Sequence, residues 1–292
     1  MDSSLKGIGS RIIGCGALCV VTLLCQSPAF ADSVLGITDG NQLISFDSSN
    51  PAGATAIGTL DVTATPLGLF KNGSSLYVYD INNNVVRQIN PATAATITTI
   101  NIGLQGSPGE GDVVFSNGTG FLVSTHQPNG SFINGSGTLF SFTLTANSAH
   151  VISTTIPFID GLTVANGVLY GLAQGGAELY TINTSTGTVT PVGATGVSGT
   201  FSVGGLTTAL NGTLYADLTN FANATSEFFT IDPATGKATF VGNIAFSRVS
   251  GLVDNSTSNG TTPEPSTFFL ALSGGLLLAF AFRRKYLALH AQ

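Results

Sequence analysis

One phrase, returning at a nearly fixed interval, constrains the fold of this chain more than its composition does. GLTVANGVLYG (161–171) comes back as GLTTALNGTLYA (205–216), with looser copies in LGLFKNGSSLY (67–77) and VVFSNGTGFL (113–122). The Asn-Gly pairs at 72, 117, 166 and 211 stand 45, 49 and 45 residues apart. Apolar residues on either side of Asn-Gly spell strand, tight turn, strand. Asn-Gly tolerates the positive φ angles of a type I′ hairpin turn. A second phrase follows the first: LYTINTSTG (179–187), FFTIDPATG (228–236) and VRQINPAT (86–93). It predicts another hairpin, turned by Asn or Asp with Pro, Thr and Gly.

Two hairpins per period of about 45 residues make four antiparallel strands, the size of one β-propeller blade. A lone blade cannot bury both faces, so blades must stack around an axis. The expected fold is all-β, a five-bladed propeller closed by a C-terminal strand; a β-sandwich or solenoid is the rival. Four complete units begin near residues 65, 111, 159 and 203. The first unit is incomplete. Residues 34–47 align with the second and third strands of a blade and 54–60 supply a fourth, but the innermost strand is missing. RVSGLVD (248–254) matches the start of the innermost-strand phrase and then stops. Pairing it with the strand that holds Leu35 and Ile37 would complete the first blade and close the ring. The phrases resemble those of bacterial extracytoplasmic propellers with LYTIDPATG-like repeats, which implies a fold and leaves the activity open.

The polarity of the chain comes from Thr, Ser, Asn and Gly. Charged residues make up 8%, against about 25% in ordinary soluble proteins. Leu, Ile, Val and Phe recur throughout, which argues against disorder. From Asp32 to Pro263 there are four basic residues (Lys71, Arg87, Lys237, Arg248) and thirteen acidic ones, a net charge of −9. No basic patch is present to neutralise phosphates, so nucleic acid is not an expected partner. Cys15, Cys19 and Cys25 all precede Asp32, leaving the domain without disulfides, thiolate ligands or a cysteine nucleophile.

Four segments are expected: 1–31, a signal peptide; 32–255, the repeat domain; 256–265, a linker; 266–292, a sorting helix with a basic cytoplasmic tail. Lys6 and Arg11 precede an apolar run from Ile12 to Leu24, and Ala29-Phe30-Ala31 is a small-x-small cleavage site. Near the other end, Pro263-Glu264-Pro265 precedes an apolar run from Phe268 to Phe282 and then Arg283-Arg284-Lys285. Fifteen helical residues reach about 22 Å at about 1.5 Å each, marginal for a bilayer core of about 30 Å. The basic triplet sets a cytoplasmic tail and an external domain.

This tail resembles the PEP-CTERM sorting signal of Gram-negative bacteria. The resemblance implies an exosortase, a membrane protease, cutting near Pro263-Glu264-Pro265, and an association with exopolysaccharide or biofilm systems. The expected partners are therefore signal peptidase and an exosortase-type protease, and for the folded domain a glycan or a surface protein. The tail helix would insert in the membrane transiently. The expected destination is the cell surface or the medium, across a Gram-negative inner membrane.

Candidate chemistry within the domain is sparse. Nine Asn-x-Ser/Thr triplets occur, several of them the hairpin turns themselves. Asp80-Ile81-Asn82-Asn83-Asn84 starts like a calcium loop but lacks the following Gly and the distal Glu, and reads as a solvated turn. His126 and His150 have no ligand spacing, and neither a metal nor a cofactor is expected. Asp112 and Asp160 each sit near the start of an inferred innermost strand, where side chains reach the channel. Two long loops between second and third strands are expected at residues 126–137 and 218–226. They carry Phe132 and Phe221, aromatics suited to stacking on sugar rings, and His126, a further candidate binding residue. No nucleophile elbow, P-loop or dinucleotide fingerprint is present. The chain is expected to be a non-catalytic binding or structural module. The alternative is a secreted polysaccharide hydrolase or lyase whose acids converge on the channel.

Overall fold

The computed structural model describes residues 31–62, 66–105 and 109–256. The signal peptide, the Pro-Glu-Pro linker and the sorting helix lie outside those residues, apart from Ala31, which is exposed just ahead of the first strand, and Ser256, the first residue of the linker. Among the described residues no helix is long and apolar enough to cross a membrane.

Five four-stranded antiparallel sheets and one 3-10 turn, Gln174–Gly176, account for the regular structure of the described residues. Blade 1 holds β1 (Ser33–Thr38), β2 (Gln42–Asp47) and β3 (Asn50–Thr59). Blade 2 holds β4 (Pro66–Asn72), β5 (Ser75–Asp80), β6 (Val85–Ile89) and β7 (Thr96–Ile100). Blade 3 holds β8 (Val113–Ser116), β9 (Thr119–Ser124), β10 (Gly137–Phe142) and β11 (His150–Ile156). Blade 4 holds β12 (Ile159–Ala165), β13 (Val168–Ala173), β14 (Glu178–Ile182) and β15 (Val189–Ala194). Blade 5 holds β16 (Phe201–Thr208), β17 (Leu214–Asn220), β18 (Thr225–Ile231) and β19 (Ala238–Asn243). The last strand, β20 (Val249–Asp254), returns to blade 1 as its innermost strand, giving the order β20-β1-β2-β3. Its register pairs Val34 with Asp254, Leu35 with Val253 and Ile37 with Gly251. The expected closure is therefore present, and β1 has no open inner edge.

The turns follow their residues, with one refinement. Asn117-Gly118 and Asn166-Gly167 both take positive φ at both positions, the I′ arrangement. The other two do not. Ser75 pairs with Asn72, so that turn is Gly73-Ser74 and only Gly73 has positive φ. Leu214 pairs with Thr208, so Asn211 sits in a longer connection in which only Gly212 has positive φ. In the outer hairpins Asn183 Oδ1 accepts from the Ser185 and Thr186 amides at 2.9 and 3.0 Å, and Asp232 Oδ1 from the Ala234 amide at 2.9 Å. These are the side-chain turns that Asn and Asp favour.

The core lies between the blades. Each of five apolar clusters draws from two neighbouring sheets. Leu35, Ile37 and Leu43 meet Leu69, Leu76 and Val78 between blades 1 and 2. Phe70 and Tyr79 meet Leu122 and Phe142 between blades 2 and 3. The other three clusters fill the remaining gaps, the last joining Phe228 and Tyr215 of blade 5 to Phe46, Val249 and Leu252 of blade 1. Burial on both faces of each sheet is what obliges the blades to close into a ring.

Candidate functional site

The innermost strands converge so closely that most carry glycine at one level: Gly251, Gly68, Gly161 and Gly205, each followed by Leu. A Cβ on Gly205 would lie 2.6 Å from the Leu252 amide nitrogen, and one on Gly251 2.9 Å from that of Leu69. Blade 3 breaks the pattern, with Asp112 before Val113. Its side chain takes the space at the axis that the glycines leave. Asp112 Oδ2 accepts from the Leu162 and Leu206 amides at 2.8 and 3.2 Å, and Oδ1 from the Val113 amide at 2.8 Å. One carboxylate thereby ties blades 3, 4 and 5 together.

Two further acids depart from the repeat at the same end of the channel. Asp160 occupies a position held by Ser250, Leu67, Gly111 and Gly204 in the other blades. It falls at the bulge between Ile159 and Gly161. Asp217, on β17 opposite Gly205, stands where the other second strands place Ile37, Tyr79, Val123 and Leu172, all buried. Asp112, Asp160 and Asp217 are 2%, 2% and 0% exposed. No donor reaches either oxygen of Asp160, and none from another residue reaches those of Asp217. Burial therefore favours the neutral acid. It raises the pKa of Asp112 well above the ordinary carboxylate value, against the pull of its three backbone donors and with a further push from Asp160. It raises Asp160 to about 7, helped by the charge of Glu110. It raises Asp217 well above the ordinary value, helped by Asp112 and Asp39.

Above these acids the channel opens into a cavity of about 340 Å3, lined among others by Asp39, Glu110, Ser202, Thr219, Phe221 and Arg248. The lining comes from the entries to the innermost strands and from the turns between second and third strands. Glu110 accepts the Gln174 side-chain amide at 2.9 Å. Arg248 Nη1 stands 3.8 Å from Asp39 Oδ2, an exposed pair of small energetic weight. Among the described residues no three His, Cys, Asp or Glu side chains converge as a metal site.

The expected site residues separate into two groups. Asp112 reaches across to the Leu162 and Leu206 amides and Asp160 is buried at the start of β12, and neither lines the cavity. His126, Phe132 and Phe221 lie on the open face. Residues 126–132 are organised by a bridge from His126 to Phe132, whose rings meet edge to face at 5.9 Å. Phe132 also packs 5.5 Å from Phe158, yet it stays 58% exposed. Phe221 is 59% exposed at the cavity rim.

The expected long loop at 218–226 is not one. Leu218, Thr219 and Asn220 pair with Glu227, Ser226 and Thr225, which leaves a tight turn of Phe221 to Ala224. Strand pairing overrides the weak β preference of Asn220 and Glu227 there. The expected solvated turn follows Asp80, with Asn82 and Asn83 exposed, while Asp80 itself, at the end of β5, is 1% exposed and takes both Arg87 Nε and Nη2 at 2.8 Å. Asp217 was not singled out by sequence reasoning. Its signal is internal, a carboxylate at a position that is apolar in the four other repeats.

A family described as "Repeat of unknown function (DUF6923)" matches residues 133–254, and the PEP-CTERM protein-sorting motif matches residues 261–285. No curated protein matches significantly. Among solved structures, a chain from the crystal structure of a nidogen/laminin complex is similar with a TM-score of 0.46 and 13% identity, over 76% of this chain and 85% of its own. The sorting motif marks an exported protein that an exosortase processes at the membrane.

Proposed function

We propose that the folded domain is a non-catalytic surface or matrix module that binds a glycan or protein partner over the mouth of its channel. The observation that carries this reading is the 340 Å3 cavity with Phe221 at its rim and Phe132 exposed on the same face. Flat aromatics beside a polar cleft suit stacking on sugar rings. A polysaccharide hydrolase is the weaker reading. Glycoside cleavage needs two carboxylates that touch the scissile bond; the three unusual acids are at most 2% exposed, and of the two acids that line the cavity Glu110 is engaged by Gln174 and Asp39 stands against Arg248. The sorting motif supports a setting in the exopolysaccharide or biofilm of a Gram-negative bacterium, the usual company of such signals.

A glycan array and polysaccharide pull-down with the purified protein tests the proposal. The double variant Phe132→Ala, Phe221→Ala is expected to weaken capture at least tenfold, since truncating a contact aromatic at a binding centre costs more than about 1 kcal/mol and about 1.4 kcal/mol is a factor of ten. Unchanged capture removes this face from consideration, and release of shortened oligosaccharides restores the hydrolase reading.

Processing has its own expected result. Mass spectrometry of the surface pool from the native host should find chains ending near Pro263-Glu264-Pro265. Intact chains that still carry Arg283-Arg284-Lys285 would make the tail a lasting anchor instead.

A further inference from the structure

The buried carboxyl of Asp217 faces the strand that closes the ring. A side chain on Gly204 would collide with both Asp217 Oδ2 and the carbonyl oxygen of Val249. Those two oxygens, one from β17 and one from the first residue of β20, therefore converge on a single small space. Gly204 and Val249 belong to the cavity lining, but Asp217 itself is 0% exposed, and two acceptors that converge beside a sealed carboxyl repel unless something positive stands between them. No donor from another residue reaches the Asp217 oxygens, and no set of three acidic or imidazole groups converges there to hold a metal ion among the described residues. A proton is the simplest neutraliser.

We infer that Asp217 is a neutral carboxylic acid whose O–H donates to the Val249 carbonyl, latching the closing strand to the last blade. Val249 is held at its other end as well, because its N–H donates to Ser226 Oγ of β18 at 2.9 Å. Arg248, just before it, sits in the left-handed region at φ 53°, a conformation that surrounding contacts must maintain. Burial is the main reason that Asp217 keeps its proton, and the acids facing it add to that. Asp112 faces it from the start of β8, and Asp39 from the β1–β2 turn. Arg248, ahead of β20, stands against Asp39. Glu227 of β18 pairs opposite Leu218, on the other face of the sheet, and accepts the Asn220 amide. Loss of the proton to solvent leaves a buried anion against a carbonyl oxygen. Alkaline pH therefore loosens β20, which leads directly into the linker and sorting motif.

The test is hydrogen exchange of the β20 amides at pH 5, 7 and 9, corrected for the intrinsic rate, in the purified protein. In the wild type, protection falls by up to tenfold per pH unit once Asp217 begins to ionise, the slope of a single proton. Asp217→Asn cannot ionise, and its amide can donate to the same carbonyl, so its β20 protection falls less steeply than that of the wild type, the remaining slope being that of Asp112 and Asp160. Asp217→Leu, which places the residue of β13 at this position, keeps the fold and shows protection already below the wild type at pH 5, with the same shallow slope as Asp217→Asn. The proposal is overturned if wild type and Asp217→Asn share one pH profile, or if Asp217→Leu matches the wild type at pH 5. Protection that appears with added Ca2+ and vanishes with a chelator would also overturn it, because a cation would then hold the place of the proton.

Discussion

A chain ended at residue 248 should not hold the propeller. β20 supplies the innermost strand of blade 1, and without it β1 presents an open edge to the channel. Val249 and Leu252, each 2% exposed, belong to the cluster that joins blade 5 to blade 1. Fully burying side chains of this kind contributes about 1.5–3 kcal/mol each. The strand also donates from the Asp254 amide to Thr207 Oγ1 at 3.0 Å, and the Asn255 amide donates to the Ser33 carbonyl at 2.7 Å. Against a whole-domain stability of about 5–15 kcal/mol, losing the strand removes much of the margin. Circular dichroism through a urea titration should show the truncated chain unfolded or strongly destabilised. A peptide spanning 249–256, added in trans, should restore part of the signal. The milder change Leu252→Ala should cost about 2–5 kcal/mol. An unchanged urea midpoint for the truncated chain would mean that the ring does not depend on its closing strand.

That closure was legible because the repeat was incomplete. Residues 34–47 read as second and third strands without a first, and Val249 to Asp254 read as a first strand without a second. A ring has no ends, so the two fragments imply each other. The details that were not legible depend on contacts between strands. Asn211-Gly212 has the letters of a tight turn, but the pairing of Thr208 with Leu214 fixes a longer one. Residues 218–226 have the composition of a loop and are mostly strand, because β17 and β18 pair to Asn220 and Thr225. Asp112 and Asp160 were found from their place at the start of inner strands, yet nothing local told that they would be sealed. Sealing comes from the approach of Gly68, Gly205 and Gly251 around the axis. Asp217 lies in the middle of a strand, where acids are rare. It becomes conspicuous only when set against Ile37, Tyr79, Val123 and Leu172.

Stability should increase as the pH falls from 8 towards 5, the reverse of what salt-bridged carboxylates produce. A carboxyl whose folded-state pKa is raised binds its proton more tightly when folded than when unfolded. Its stabilising contribution is present in full below the unfolded value near 4, and is lost as pH rises through the folded value. For Asp160 the folded value is about 7, so the loss is spread between about pH 4 and 7 and levels off above. About three pKa units correspond to about 4 kcal/mol, as an upper bound. Asp112 and Asp217 are shifted in the same direction by burial. The opposing contribution is small, because the described residues hold two carboxylate–guanidinium pairs, and that of Arg248 with Asp39 is exposed. The excess of acidic residues adds to the same trend through repulsion at high pH. Asp160→Asn separates the local effect from the global one. It should match the wild type near pH 4 and exceed it by up to about 4 kcal/mol at pH 8, read from urea midpoints at each pH. A wild-type domain that is more stable at pH 8 than at pH 5 would show that the buried acids at the axis are ionised and held by partners.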